Sequence, residues 1–259
     1  QGGGTDRRAM TELKVVCITG AARRIGATIA RTFHRQGFSV IIHYHRSTDA
    51  AEELVTELNR GRASSAQSLQ ADLCNSKQVQ TMGSQALEIF GRLDVLINNA
   101  SSFYPTELGE ISDAIWDELI DSTLRGAFFL SRDLSTELKR TRGAIVNIID
   151  THADHPLRGY PIYCIAKAGL KAMTKSLALE LAPRVRVNAV SPGAILWSET
   201  LEDDGDQLAA AAREKILQKI PLGCLGKPEH IAAVAYFLAC HGHYLTGQVI
   251  KVDGGSSLS

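Results

Sequence analysis

The sequence predicts an α/β fold in which a parallel sheet of about seven strands carries helices on both faces. From Lys14 onward, short β-branched runs alternate with longer amphipathic stretches, the pattern of βαβ units. The runs are continuously apolar instead of alternating, as strands must be when helices cover both faces. A third observation sets the number of domains: 259 residues with 44% hydrophobic content bury one sizeable core.

Taken in order, the apolar run at 15–18 is the first strand and leads into a helix near 25–36. The second strand, 40–42, precedes a helix near 48–60, and a weaker third strand ends near Leu69 before a helix at 76–90. The run at 93–97 is the fourth strand, and the long amphipathic stretch 112–140 is read as one helix. Strand 144–149 precedes a helix at 162–182, strand 185–190 precedes a helix at 228–240, and 249–252 closes the sheet. Right-handed crossovers place these helices on both faces, which makes the sheet doubly wound. Residues 1–9, rich in Gly and Arg ahead of Met10, read as an appended or disordered lead, and 10–259 as a single domain. The acidic, Gly-containing stretch 196–206 breaks the pattern. It reads as a loop beside a substrate site or, with equal weight, as a solvated surface loop.

Lys and Arg together equal Asp and Glu at 28 each, with no basic stripe, so nucleic acid is not an expected partner. Five scattered cysteines with no C-x-x-C pair fit reduced thiols in a cytoplasm. No apolar run approaches the roughly 20 residues needed to cross a bilayer, and no charged-then-apolar leader is present, so a soluble, cytoplasmic protein is expected. His152, His155, His241 and His243 lack regular ligand spacing and a carboxylate cluster, so no metal site is expected.

Between the first strand and its helix lies T-G-A-A-R-R-I-G at 19–26. Glycines there let the backbone approach a pyrophosphate, whose charge meets the amides of a helix N-terminus, as in Rossmann-type dinucleotide sites. Gly20, Arg24, Ile25 and Gly26 are the cofactor candidates in this turn. Where an acidic residue would bind ribose hydroxyls at the end of the second strand, the chain has H-Y-H-R-S at 43–47. A guanidinium and a hydroxyl in that place, with His45, Arg46 and Ser47 as candidates, suit the 2′-phosphate of NADPH.

Tyr163 and Lys167 form Y-x-x-x-K and project from one helix face. A phenol with a reference pKa near 10 is a poor acid–base catalyst at pH 7, and a neighbouring ammonium is expected to lower it. The spacing alone is common. Its position after the fifth strand, with the Gly turn at the front, N-N-A at 98–100 and S-P-G at 191–193, is not. Together these motifs make the chain resemble the short-chain dehydrogenase/reductase family, from residue 14 to V-D-G-G at 252–255. The resemblance implies that Asp72 contacts adenine, that Asn98, Ala100, Pro192 and Gly193 border the cofactor, that Lys167 holds the nicotinamide ribose, and that the protein is a homotetramer.

Departures from the ordinary carbonyl-reducing pattern narrow the resemblance to pteridine reductases. Asp150 stands where the family has a serine, Arg24 replaces a turn glycine, and Ser101 and Phe103 follow N-N-A. In that subfamily the residue matching Phe103 stacks on the pterin, those matching Ser101 and Arg24 contact its polar edge, and those matching Asp150, Tyr163 and Lys167 form the catalytic group. The implied activity is reduction of a dihydropterin or dihydrofolate by hydride transfer from NADPH to the pyrazine ring. A carbonyl or 3-oxoacyl reductase and a non-catalytic NADPH-sensing protein are the alternatives. A carboxylate about 4 Å from a developing alkoxide raises its energy by about 4 kcal/mol at an effective dielectric of 20, so Asp150 is wrong for ketones. Reduction of a C=N bond needs a proton on nitrogen, which a carboxyl beside Tyr163 can relay. Two positions depart from the family: Thr123 replaces the asparagine that anchors a relay water, and A-I-L-W follows Gly193, leaving Trp197 as either a wall of the substrate site or a loop anchor.

Overall fold

The computed structural model describes residues 13–195 and 207–258. The lead at 1–9, the stretch 196–206 and Trp197 lie outside the described residues. Seven parallel strands form one sheet in the order β3-β2-β1-β4-β5-β6-β7. They are β1 Val15–Ile18, β2 Ser39–Tyr44, β3 Ala66–Gln70, β4 Val95–Asn98, β5 Ala144–Ile148, β6 Arg186–Pro192 and β7 Val249–Val252. The helices are α1 Arg24–Arg35, α2 Thr48–Gly61, α3 Ser76–Phe90, α4 Asp113–Ile120, α5 Gly126–Thr141, α6 Pro161–Leu181, α7 Gln207–Gln218 and α8 Pro228–Cys240. This is the doubly wound Rossmann-type architecture.

Alternate residues of each strand enter different cores, which is why the strands are apolar throughout. Val16, Ile18, Val40, Ile42 and Val146 pack under Ile29 and Phe33 of α1, Leu54 of α2 and Leu238 of α8. Val15, Cys17, Ile41, Leu96 and Ile145 pack on the other face against Met82 of α3, Leu134 of α5 and Leu170 of α6. Each such buried aliphatic contributes about 1.5–3 kcal/mol. Local signals set the helix ends. The Asn75 side chain accepts from the amides of Lys77 and Gln78 to start α3, and Ser112 accepts from Ile115 to start α4. Pro161 opens α6 and Pro228 opens α8.

One expected element needs correction. The stretch 112–140 is α4 and α5 joined through a π-helical turn, Asp121–Arg125, because one extra residue is accommodated there without breaking the run. The helix α7 was not foreseen. Among the described residues no helix is long and apolar enough to cross a membrane. The chain passes from β3 on one side of β1 to β4 on the other, so the strand order reverses between β1 and β4. Val16 pairs with Val40 on one side and Val95 on the other. Loops leaving the carboxyl ends of β1 and β4 part there and leave a crevice.

Candidate active site

Over the carboxyl ends of the strands lies a cleft of about 660 Å³, within the range of ligand-sized pockets. Six of the expected site residues line it: Gly20, His45, Arg46, Asp72, Ala100 and Ser101. The turn after β1 has no room for side chains. Gly20 has φ +61° and a Cβ on it would stand 2.9 Å from Ala100 Cα, while a Cβ on Gly26 would stand 2.3 Å from the Gly20 carbonyl oxygen. Arg24 holds φ +51°, the left-handed conformation that glycine adopts freely and that costs an L-residue about 1 kcal/mol. Ile25 is partly buried against the core below.

Three neighbours hold this turn. Asn99 Nδ2 donates to the carbonyls of Thr19 and Gly20, 2.9 Å each, and the amides of Asn99 and Ala100 donate to Thr19 Oγ1 at 2.9 and 3.0 Å. His43 accepts from the Gly20 amide at Nδ1 (3.1 Å) and donates from Nε2 to the Ala71 carbonyl (3.1 Å), which fixes its tautomer. Burial pushes its imidazole down to about 4. Asn98 does something else. Its amide donates inward, to Asn147 Oδ1 at 2.8 Å and Ser131 Oγ at 3.2 Å, and Asn147 passes the chain of bonds on to Thr174. The side chain expected to border the cofactor is therefore part of a buried network, and the adjacent Asn99 braces the turn.

At the end of β2, Arg46 is exposed, and Ser47 stands at the N-cap of α2, where its side chain accepts no bond from the helix. A guanidinium, a hydroxyl and the amide end of a helix together suit an anion. His45 Nε2 lies 3.8 Å from Asp72 Oδ2, and Asp72 Oδ1 accepts from the Cys74 amide at 2.9 Å. Pro192 and Gly193 sit at the carboxyl end of β6, where the Gly193 amide donates to the Val252 carbonyl. They do not line this cleft.

The chemical group gathers where β5 ends. The Tyr163 hydroxyl donates to Asp150 Oδ2 at 2.7 Å, while Asp150 Oδ1 accepts from the His152 amide at 2.8 Å. Lys167 lies one turn below Tyr163, buried, and donates to the Ile148 carbonyl at 2.9 Å. Desolvation pushes its ammonium down to about 8, opposed by the charge of Asp150. The expected depression of Tyr163 by Lys167 is not found. Burial first, then the charge of Asp150 and the hydrogen bond to it, hold the phenol well above its ordinary value; Lys167 Nζ stands 5.6 Å from the ring centroid. Tyr163 is therefore a protonated donor hydrogen-bonded to Asp150.

The Phe103 ring closes the group from above, edge-on to Tyr163 with centroids 4.8 Å apart, and stacks on Tyr160 at 4.6 Å. Tyr160 and His43 were not among the expected site residues. Thr123 falls in the π-helical turn, and its buried hydroxyl has no hydrogen-bond partner among the described residues. Among the described residues, no three His, Cys, Asp or Glu side chains are grouped to hold a metal ion.

A family profile described as enoyl-(acyl carrier protein) reductase matches residues 20–257. The chain is 37% identical to pteridine reductase 1 of Leishmania tarentolae over 286 aligned positions, covering 95% of this chain and 96% of that protein. It is 35% identical to a 3-oxoacyl-[acyl-carrier-protein] reductase of Staphylococcus aureus, covering 95% and 99%. Glucose 1-dehydrogenase 2 of Bacillus subtilis is 34% identical, with 95% of each chain covered.

Proposed function

This chain belongs to the short-chain dehydrogenase/reductase family, and within it we propose that the protein reduces a dihydropterin or dihydrofolate to the tetrahydro form, using NADPH. The observation that carries this reading is the 2.7 Å hydrogen bond from Tyr163 to Asp150. A carbonyl reductase needs neutral donors at the developing alkoxide, and a carboxylate bonded to its acid opposes that charge. A C=N bond needs a proton delivered to nitrogen. Tyr163 can give one, replaced by a proton taken up from solvent through the Asp150 carboxyl, or Asp150 can accept hydrogen bonds from an amino-pyrimidine edge.

As an oxidoreductase of this family the protein uses a nicotinamide cofactor, and the cradle at Gly20 and Gly26 fits a close-lying pyrophosphate. When bound, that cofactor supplies the hydride. Arg46, Ser47 and the start of α2 support a 2′-phosphate, and hence NADPH over NADH. Lys167, Pro192 and Gly193 would border the nicotinamide end. The strained Arg24 supports a use for its guanidinium at the cofactor or the polar edge of the substrate, since such backbone outliers gather at functional sites. Ser101 lines the cleft beside Ala100 and would serve the same edge. Phe103, half exposed over Tyr163, offers a flat apolar surface for a heteroaromatic ring.

A second reading, reduction of a 3-oxoacyl thioester, is supported by similarity of nearly equal strength, 35% against 37%. Asp150 weighs against it. Large exposed apolar side chains on packed helices, Trp116 on α4, Phe128 on α5 and Ile165 on α6, support self-association, which we read as a homotetramer. The test is turnover of dihydrobiopterin, dihydrofolate and an acetoacetyl thioester with NADPH. We expect one or both pterins to be reduced at least tenfold more efficiently than the thioester; the reverse order removes the pterin assignment.

A further inference from the structure

Phe103 lies in a segment, 99–107, that belongs to no helix or strand, yet its ring is held from two sides. Its neighbours Ser102 and Tyr104 turn toward α4, where both donate to the Glu118 carboxylate, Ser102 Oγ to Oε1 at 3.3 Å and the Tyr104 hydroxyl to Oε2 at 3.1 Å. Phe103 turns the other way. Its ring lies nearly parallel to that of Tyr160, centroids 4.6 Å apart and planes 13° apart, at the residue that opens into α6. Three residues on, the Thr106 amide donates to the Gly159 carbonyl at 2.7 Å, tying the same segment to the residue before Tyr160.

We propose that Glu118 and Tyr160 are positioning residues that preset the Phe103 ring as a platform for a flat heteroaromatic substrate. Neither is needed for proton transfer; each acts through Phe103. Tyr160 covers one face of the Phe103 ring and the residue stays 49% exposed, so a bound ring on the open face extends an existing stack. Glu118 fixes the residues on either side of Phe103, which sets the direction in which the ring leaves the backbone. A segment without ladder hydrogen bonds would otherwise have to be ordered at the moment of binding, and that ordering weakens affinity. The contact with Phe103 is made by the Tyr160 ring and not by its hydroxyl. The role in substrate binding rests on the pterin reading above; the latch itself does not.

The experiment pairs two measurements on the protein saturated with NADP+, which cannot reduce the pterin during the titration: deuterium uptake by the peptide covering 101–107, and titration with dihydrobiopterin. Tyr160→Leu and Glu118→Ala are expected to raise uptake in that peptide and to weaken dihydrobiopterin binding about three- to tenfold. Tyr160→Phe keeps the ring and is expected to match wild type in both. In a Phe103→Ala background, Tyr160→Leu is expected to add no further loss of dihydrobiopterin affinity, because its effect passes through Phe103. Unchanged uptake in Tyr160→Leu and Glu118→Ala overturns the latch. Raised uptake with unchanged affinity, or a full additive loss in the Phe103→Ala background, overturns its role in binding. Failure of the wild type to bind dihydrobiopterin defeats the pterin reading instead, and uptake still decides the latch.

Discussion

Asp150 uses its two oxygens differently: Oδ1 caps the turn after β5 through the His152 amide, and Oδ2 receives the Tyr163 hydroxyl. One side chain thus both caps the loop and meets the catalytic candidate, since a carboxyl group has lone pairs enough for both. The Tyr163–Lys167 pair was legible from spacing and position, but the sign of the Tyr163 shift was not, because it depends on burial and on a residue thirteen positions away. Tyr163→Phe is expected to lower turnover about 10²- to 10⁴-fold while NADPH affinity stays nearly unchanged, since it removes a proton donor and little volume. Steady-state assay with direct NADPH titration checks this; turnover near wild type would assign protonation to Asp150 or water. Arg46→Ala is expected to raise the NADPH Michaelis constant about tenfold or more and to leave NADH use little changed. Equal losses with both cofactors would mean that Arg46 does not meet a 2′-phosphate.

At the scale of elements, the turn after β1 depends on a neutral His43. Its imidazole is pushed to about 4 by burial, against an unfolded value near 6.5. The unfolded chain thus binds more protons between those values, so stability is intact above pH 6.5 and falls as pH drops toward 4, by about 3 kcal/mol in all from this group. Denaturant unfolding at pH 7 and pH 5 checks the expectation: wild type should lose stability across that interval by clearly more than a His43→Gln variant. An equal loss in both would remove His43 as the source. His43 is buried at the end of β2 yet borders the cleft together with His45 and Arg46, while the alternation of side chains along a strand puts Tyr44 on the opposite face. The same alternation separates Asn98 from Asn99, and the motif alone does not say which one faces inward. The π-helical turn at Asp121–Arg125 leaves the apolar pattern of a continuous helix nearly intact, so 112–140 read as one element. The helix α7 went unread although Ala, Leu, Glu and Lys fill it, all strong helix formers, because the acidic stretch before it drew a loop reading for the region.

At the scale of the molecule, the seven-stranded order and the reversal between β1 and β4 follow from apolar runs long enough for strands and amphipathic stretches long enough for crossovers. That frame was legible nearly end to end. The substrate is not a property of the frame: pteridine reductase 1 of Leishmania tarentolae and a 3-oxoacyl-[acyl-carrier-protein] reductase each match 95% of the chain, at 37% and 35% identity. On the proposed reading a few side chains over the carboxyl ends of the strands, Asp150 first among them, carry the distinction. Asp150→Ser removes the negative charge beside Tyr163 and puts a hydroxyl donor in its place. The direct measurement is a paired assay of wild type and Asp150→Ser on dihydrobiopterin and on a small diketone, with NADPH saturating throughout. Pterin turnover is expected to fall about 10²- to 10⁴-fold while activity on the diketone stays level or rises; pterin turnover that survives unchanged would contradict a pterin reductase built on the Asp150–Tyr163 pair.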